Sequence, residues 1–114
     1  MNTIDVAKRA VEIASDKLAT DIVLLDTRQV CSFADYFVIC SGETERHLAA
    51  LREAIDEAFK KDKLTPIRHE GTPASGWMLI DLGNVIVHLF APLERQYYGF
   101  DKLWSGAQLL VKMQ

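Results

Sequence analysis

A chain of 114 residues holds one domain with a single core, and its 49% hydrophobic and 25% charged residues are an ordinary soluble globular balance. A formal net charge of -3 argues against non-specific binding of naked nucleic acid, which needs a basic face, and suits a basic protein partner. No run reaches the roughly 18 apolar residues of a membrane span, and the N-terminal MNTIDVAKRA lacks the order of a signal peptide, so a cytoplasmic protein without membrane contact is expected.

Thr3 reads as the N-cap of a first helix, with Asp5 in its first turn at the favourable end of the dipole. Val6, Ala10, Ile13, Ala14 and Leu18 recur at helical spacing. Ile22 to Leu25 is a continuous apolar run, the pattern of a strand buried on both faces. A loop follows from Thr27 to Ala34. Tyr36 to Cys40 reads as a second buried strand, closed by Ser41-Gly42. The second helix spans about Thr44 to Lys61, with Leu48, Leu51, Ile55, Ala58 and Phe59 as its apolar stripe. Leu64 to Glu70 reads as a modest strand, placed at an edge by Pro66. After a loop, Trp77–Leu82 and Val85–Phe90 form a hairpin around Gly83-Asn84, two residues that tolerate positive φ. Pro92 ends the last strand. A short helix and an apolar tail, Leu109-Leu110-Val111, close the chain. Two strands before the long helix and three after it predict an α/β chain of the α+β type, with one mixed sheet of about five strands flanked by helices. A single domain over residues 1–114 is expected.

The chemistry of the residues is sparse. His47, His69 and His88 are far apart in sequence, and Pro73 stands where a zinc-protease helix after His69-Glu70 needs its second histidine. His88 shares a strand face with Ile86 and Phe90, the setting of a hydrogen-bonded core or interface residue. Cys31 and Cys40 match neither a zinc knuckle nor a redox pair, so both are expected as free thiols, with Cys40 in the core. Ser41-Gly42 is a weak candidate for an anion cradle, and a plain strand-to-helix turn explains it as well. Asp26, Asp35 and Asp81 lie near strand ends, but no Asp-x-Asp pair follows Ser41-Gly42 to hold the cations of phosphoryl transfer. By contrast, Arg95, Tyr97, Tyr98, Phe100 and Trp104 gather aromatic rings and a guanidinium at a strand end, which suits docking.

Several stretches resemble the ribosomal silencing factor family, also called Iojap or RsfS. They are Ala34 to Gly42, Glu70-Gly71, Gly76-Trp77, Asp81, His88-Leu89-Phe90, Arg95, Tyr97-Tyr98 and Leu103-Trp104. The resemblance runs from the first helix to Trp104. It implies a nucleotidyltransferase-like fold stripped of its enzyme motifs, with no catalytic residue, no cofactor and no metal. It also implies binding to the large ribosomal subunit through its fourteenth protein, and a block on small-subunit joining when nutrients are scarce. The contact residues it implies are Trp77, Asp81, Leu82, Asn84, Arg95, Tyr97 and Tyr98, with Leu82 exposed beside the hairpin turn. A homodimer is compatible with it. Two alternatives stand beside this expectation. One is a large-subunit assembly factor using the same surface; the other is a nucleotidyltransferase using Asp35, Ser41 and Gly42.

Overall fold

A computed structural model describes residues 2–114. Helix α1 (Thr3–Asp16) begins one residue earlier than the sequence suggests. Asn2, not Thr3, is the cap, and its side chain accepts from the Asp5 amide at 3.1 Å. Strands β1 (Thr20–Asp26) and β2 (Tyr36–Ser41) follow, then helix α2 (Glu45–Lys61), capped by Thr44. Strand β3 (Arg68–Glu70) is shorter than predicted. Pro66 cannot donate to a ladder and Lys63 turns with φ +62°, so pairing starts only when Ile67 donates to Asp81 O at 2.7 Å. Strands β4 (Trp77–Asp81) and β5 (Val85–Phe90) form the predicted hairpin, in which only Gly83 uses a positive φ, at +96°. Helices α3 (Pro92–Tyr98) and α4 (Phe100–Leu103) come next. Pro92 therefore starts a helix as well as stopping a strand, which suits its fixed φ.

The apolar tail is a sixth strand, β6 (Gln108–Met113), pairing antiparallel with β1. The sheet order is β3-β4-β5-β2-β1-β6, mixed through the single parallel pair β2–β5. Every residue of β2 and β5 is buried, as parallel strands covered on both faces require. One face carries the main core. Ile22, Leu24, Val38, Cys40, Met78, Ile80, Val87 and Leu89 pack there against the stripes of α1 and α2. The other face carries Leu25, Phe37, Ile39, Ile86 and Phe90. Its cover is thin: Phe100 from α4, with Trp77 and Trp104 packed at the margin. Among the described residues, no helix is long and apolar enough to cross a membrane.

Leu82 departs from expectation. It is only 7% exposed and belongs to the main core. Its position beside a turn suggests exposure, but the hairpin end folds onto the start of α1, where Leu82, Val6 and Leu64 line one shallow hollow. Leu82→Ala should thus destabilise the domain by about 2–5 kcal/mol, as a buried leucine truncation does. Thermal melting checks this; an unchanged melting temperature would return Leu82 to the surface.

Candidate functional site

The second sheet face builds the site. Trp77, Leu79 and Asp81 alternate on β4 and point to this face half-buried. Trp77 is set by the segment before it. Thr72 and Ser75 cap a short 3-10 turn reciprocally, and the Ser75 hydroxyl reaches the Trp77 carbonyl at 3.0 Å. Gly71 holds φ +80° with the Trp77 carbonyl 2.1 Å from where a Cβ would stand, so no other residue fits the approach. The Trp77 indole stacks on Phe90 at 5.0 Å, tilts against Tyr98 at 5.0 Å and meets Phe100 at 5.5 Å. Tyr97 adds an edge contact to Tyr98 at 5.2 Å. The aromatic row continues through the buried Phe37 to the half-buried Trp104 and the exposed Phe33.

His88 sits at the base of this row. Trp77 Nε1 donates to His88 Nδ1 at 3.2 Å, and the ring lies 4.4 Å from Phe100 and 4.9 Å from Phe37. That bond assigns the proton of the neutral ring to Nε2. Burial pushes His88 down to about 3. It is the hydrogen-bonded core histidine its strand position suggests, and it faces the same side as Ile86 and Phe90.

Arg95 is a clamp more than a free contact, with its side chain only 10% exposed. Its guanidinium grips Asp101 through Nε at 3.2 Å and Nη2 at 3.1 Å, and donates from Nη1 to Asp21 O at 2.7 Å and Ser41 Oγ at 3.0 Å. Asp21 takes φ +48° where the β1–β2 register shifts. Arg95 therefore ties α3 and α4 to the sheet. These residues, with Pro92, Gln96, Gly99 and Lys102, line an open groove of about 460 Å³.

The sequence-predicted contacts split between the two ends of the hairpin. Trp77, Arg95, Tyr97 and Tyr98 gather at one end. Asp81, Leu82 and Asn84 lie at the turn, roughly 15 Å away along β4. Asp81 caps the turn by accepting from Gly83 N at 2.9 Å and pairs with Arg68 at 3.4 Å. Asn84 is exposed in its side chain, while its carbonyl accepts from Asp35 N and Tyr36 N. Leu79 bridges the two ends on the same strand face. The sequence reading missed Leu93, which is 76% exposed, beside Tyr97 at 83%. They stand four residues apart on α3 and share a helix face; that spacing was the available signal.

Asp26 and Asp81 serve the fold. Arg28 holds Asp26 through side-chain and backbone bonds and keeps its carboxyl below the usual range. Asp35 and Ser41 flank β2 at opposite ends, about 20 Å apart, too far to act on one phosphate. Gly42 packs tightly, with Leu48 3.0 Å from where a Cβ would stand. Among the described residues, no three histidine, cysteine, aspartate or glutamate side chains gather as a metal set. Cys31 and Cys40 are free, and burial pushes the Cys40 thiol up to about 12, so it stays protonated.

His88 predicts a pH dependence. Its folded value of about 3 lies below the ordinary 6.5, so between them the unfolded chain binds a proton that the folded chain refuses. This contribution is complete above about pH 6.5 and is lost as pH falls toward 3, with a slope of at most about 1.4 kcal/mol per pH unit. Melting between pH 7 and pH 4.5 should show the loss, and His88→Gln should flatten it; equal slopes in both proteins would contradict the buried neutral ring. For the clamp, Arg95→Ala should lower stability by about 2 kcal/mol or more, with little rescue in Arg95→Lys, because lysine cannot reproduce the fork. Chemical denaturation of the two variants reads this; a lysine variant as stable as the parent would show that charge alone suffices.

The comparisons agree with this architecture. A family profile described as "Ribosomal silencing factor during starvation" matches residues 1–114. A ribosomal silencing factor of Bacillus subtilis is 37% identical over 96% of this chain and 92% of its own. A mouse protein named for mitochondrial assembly of the ribosomal large subunit is 33% identical over 83% of this chain and 43% of its own. A crystal structure from Chromobacterium violaceum superposes with a TM-score of 0.88 at 29% identity, covering 98% of this chain and 92% of that one. The chain belongs to the ribosomal silencing factor family.

Proposed function

We propose that this chain is a translation repressor that acts by occupying a surface, without a chemical step. It binds the large ribosomal subunit through its fourteenth protein and blocks joining of the small subunit in the cytoplasm when nutrients are limiting. The observation that carries this reading is the exposed rim Leu93–Tyr97–Tyr98 beside the half-buried Trp77, which rests on the buried His88 and Phe90. Aromatic anchors held on a rigid base are what an interface hot spot needs, because little side-chain freedom is lost on docking. The acidic chain complements a basic ribosomal partner. Leu79, Asp81 and Asn84 extend the contact along the hairpin. Leu82 and Arg95 support it from beneath, which revises their roles from direct contact to positioning. No sequence-specific contact with nucleic acid is part of this reading. Self-association into a homodimer is.

The name of the mouse relative supports a second reading, assistance in large-subunit assembly by the same surface. Mature subunits separate the two. A silencing factor prevents purified mature subunits from joining; an assembly factor binds precursors and leaves mature subunits free to join.

Cosedimentation with separated subunits should show binding to large subunits and not to small ones. Tyr97→Ala and Leu93→Ala should leave the melting temperature unchanged. Loss of a central aromatic anchor should weaken binding by about thirtyfold, and the leucine variant should weaken it less. In a light-scattering assay of subunit joining, the parent protein should inhibit and Tyr97→Ala should require a correspondingly higher concentration. Equal binding to both subunits, or full inhibition by a Tyr97→Ala, Leu93→Ala double variant, would refute the proposed surface.

A further inference from the structure

The parallel pair in the sheet is also the place where the chain changes sides. Strands β2 and β5 run side by side and end together, at Ser41 and Phe90. Helix α2, which follows β2, packs on the main core face, whereas the segment after β5 carries Phe100 to the opposite face. When the helices after two neighbouring parallel strands part in this way, a crevice is left beyond the strands' carboxyl ends. Open sheets hold small ligands in that crevice. The groove of about 460 Å³ beside Arg95 lies there, with Ser41 at the end of β2 and Pro92 just past the end of β5 in its lining. Its volume suits a small molecule.

The charges of the lining decide what it can take. The Arg95 fork and the Asp101 carboxylate neutralise each other. Bonds from Arg95 to Ser41 Oγ and Asp21 O hold the floor in place. Arg95 keeps one N–H beyond the four bonds it donates. One anion and one cation remain in the lining, Asp21 and Lys102. Both are exposed, and among the described residues neither makes an ion pair. They stand on separate elements, β1 and α4. A polyphosphate would meet two carboxylates here, and among the described residues no set of side chains is placed to hold a bridging cation. A purely apolar ligand would cover two charges without pairing them. A compact ligand that carries both signs pairs each.

We propose that this crevice binds a small zwitterion, a free α-amino acid, with Asp21 receiving its ammonium group and Lys102 its carboxylate. The spare N–H of Arg95 is a second donor for the carboxylate. Pro92, Gln96 and Gly99 supply an uncharged wall for the ligand's side chain. The site stands apart from the ribosome reading and does not depend on it. A bound ligand ties α4 to the start of β1, as the Arg95 fork ties α3, and stabilises the folded chain by mass action.

Titration of the parent with each standard L-amino acid, read by melting temperature and by amide chemical shifts, tests this. At least one should bind with a Kd of about 1 mM or tighter, raise the melting temperature and shift the amides of residues 21, 41 and 95–102. The N-acetyl and carboxamide derivatives of that amino acid each lack one charge, and each should bind about tenfold more weakly or worse. Asp21→Asn and Lys102→Met should weaken binding of the unmodified amino acid to the same degree. Asparagine accepts the left-handed φ of +48° at position 21, and equal melting of the ligand-free proteins confirms that both variants fold. A parent that responds to no amino acid overturns the site. Binding that survives both substitutions, or that either derivative retains in full, overturns the assigned roles of Asp21 and Lys102. Inorganic phosphate or magnesium ATP shifting these amides while amino acids leave them unmoved would make the crevice an anion site and overturn the zwitterion.

Discussion

The parallel pairing of β2 with β5 is the constraint on which the rest of the structure depends. Both strands are buried along their whole length, so both faces of the sheet must be covered. Two long amphipathic helices cover one face and complete the main core. The other face is left to the segment after β5, which supplies only the short α3 and α4 before it returns as β6. Short helices present little surface, and large rings compensate for it. Phe100 and Trp104, with Trp77 from β4, bury more area per residue than aliphatic chains would. A face covered by a few rings has a rim, and the exposed rim here is the surface we assign to ribosome contact.

Two polar interactions keep that rim in place. The bond from Trp77 to His88 fixes the indole on a strand that cannot shift, because β5 is held between β2 and β4. The Arg95 fork fixes α3 against the ends of β1 and β2 and against α4. Four donated bonds to three partners leave the guanidinium little freedom, and its carboxylate partner Asp101 neutralises it. The tyrosines of α3 therefore project from a fixed platform. Two of the carboxylates at the strand ends are committed elsewhere, Asp26 to Arg28 and Asp81 to Arg68 and the hairpin turn. These arrangements favour binding over chemistry.

Much of this was legible in the sequence where structure is local. The helical stripes of α1 and α2, the buried runs of β1 and β2 and the turn at Gly83 follow from spacing and turn chemistry, and the structure contains each of them except Leu18 of the α1 stripe, which lies past the helix end at φ +64° and is 77% exposed. Strand β6 was not legible. Leu109-Leu110-Val111 shows no alternation, because a bulge breaks the period and the strand is largely exposed; its pairing with β1 is distant in sequence. Leu82 misled for a related reason: a residue beside a tight turn is local information, whereas its burial depends on α1 lying across the hairpin end. For the site, residue types pointed to the aromatic corner, but not to which side chains face outward. Arg95 reads as a contact in sequence and is a clamp in space. Leu93 needed the start of α3 at Pro92 before its spacing from Tyr97 meant anything.

The central claim is that the sheet face carrying Trp77 and the α3 rim, not the face carrying α1 and α2, meets the ribosome. Hydrogen-exchange footprinting of the chain on isolated large subunits, compared with the free chain, tests it most directly. The account predicts slower exchange along residues 77–84 and 92–98, with α1 and α2 unchanged. Protection confined to the outer faces of α1 and α2, with the α3 rim exchanging as in the free protein, would contradict it.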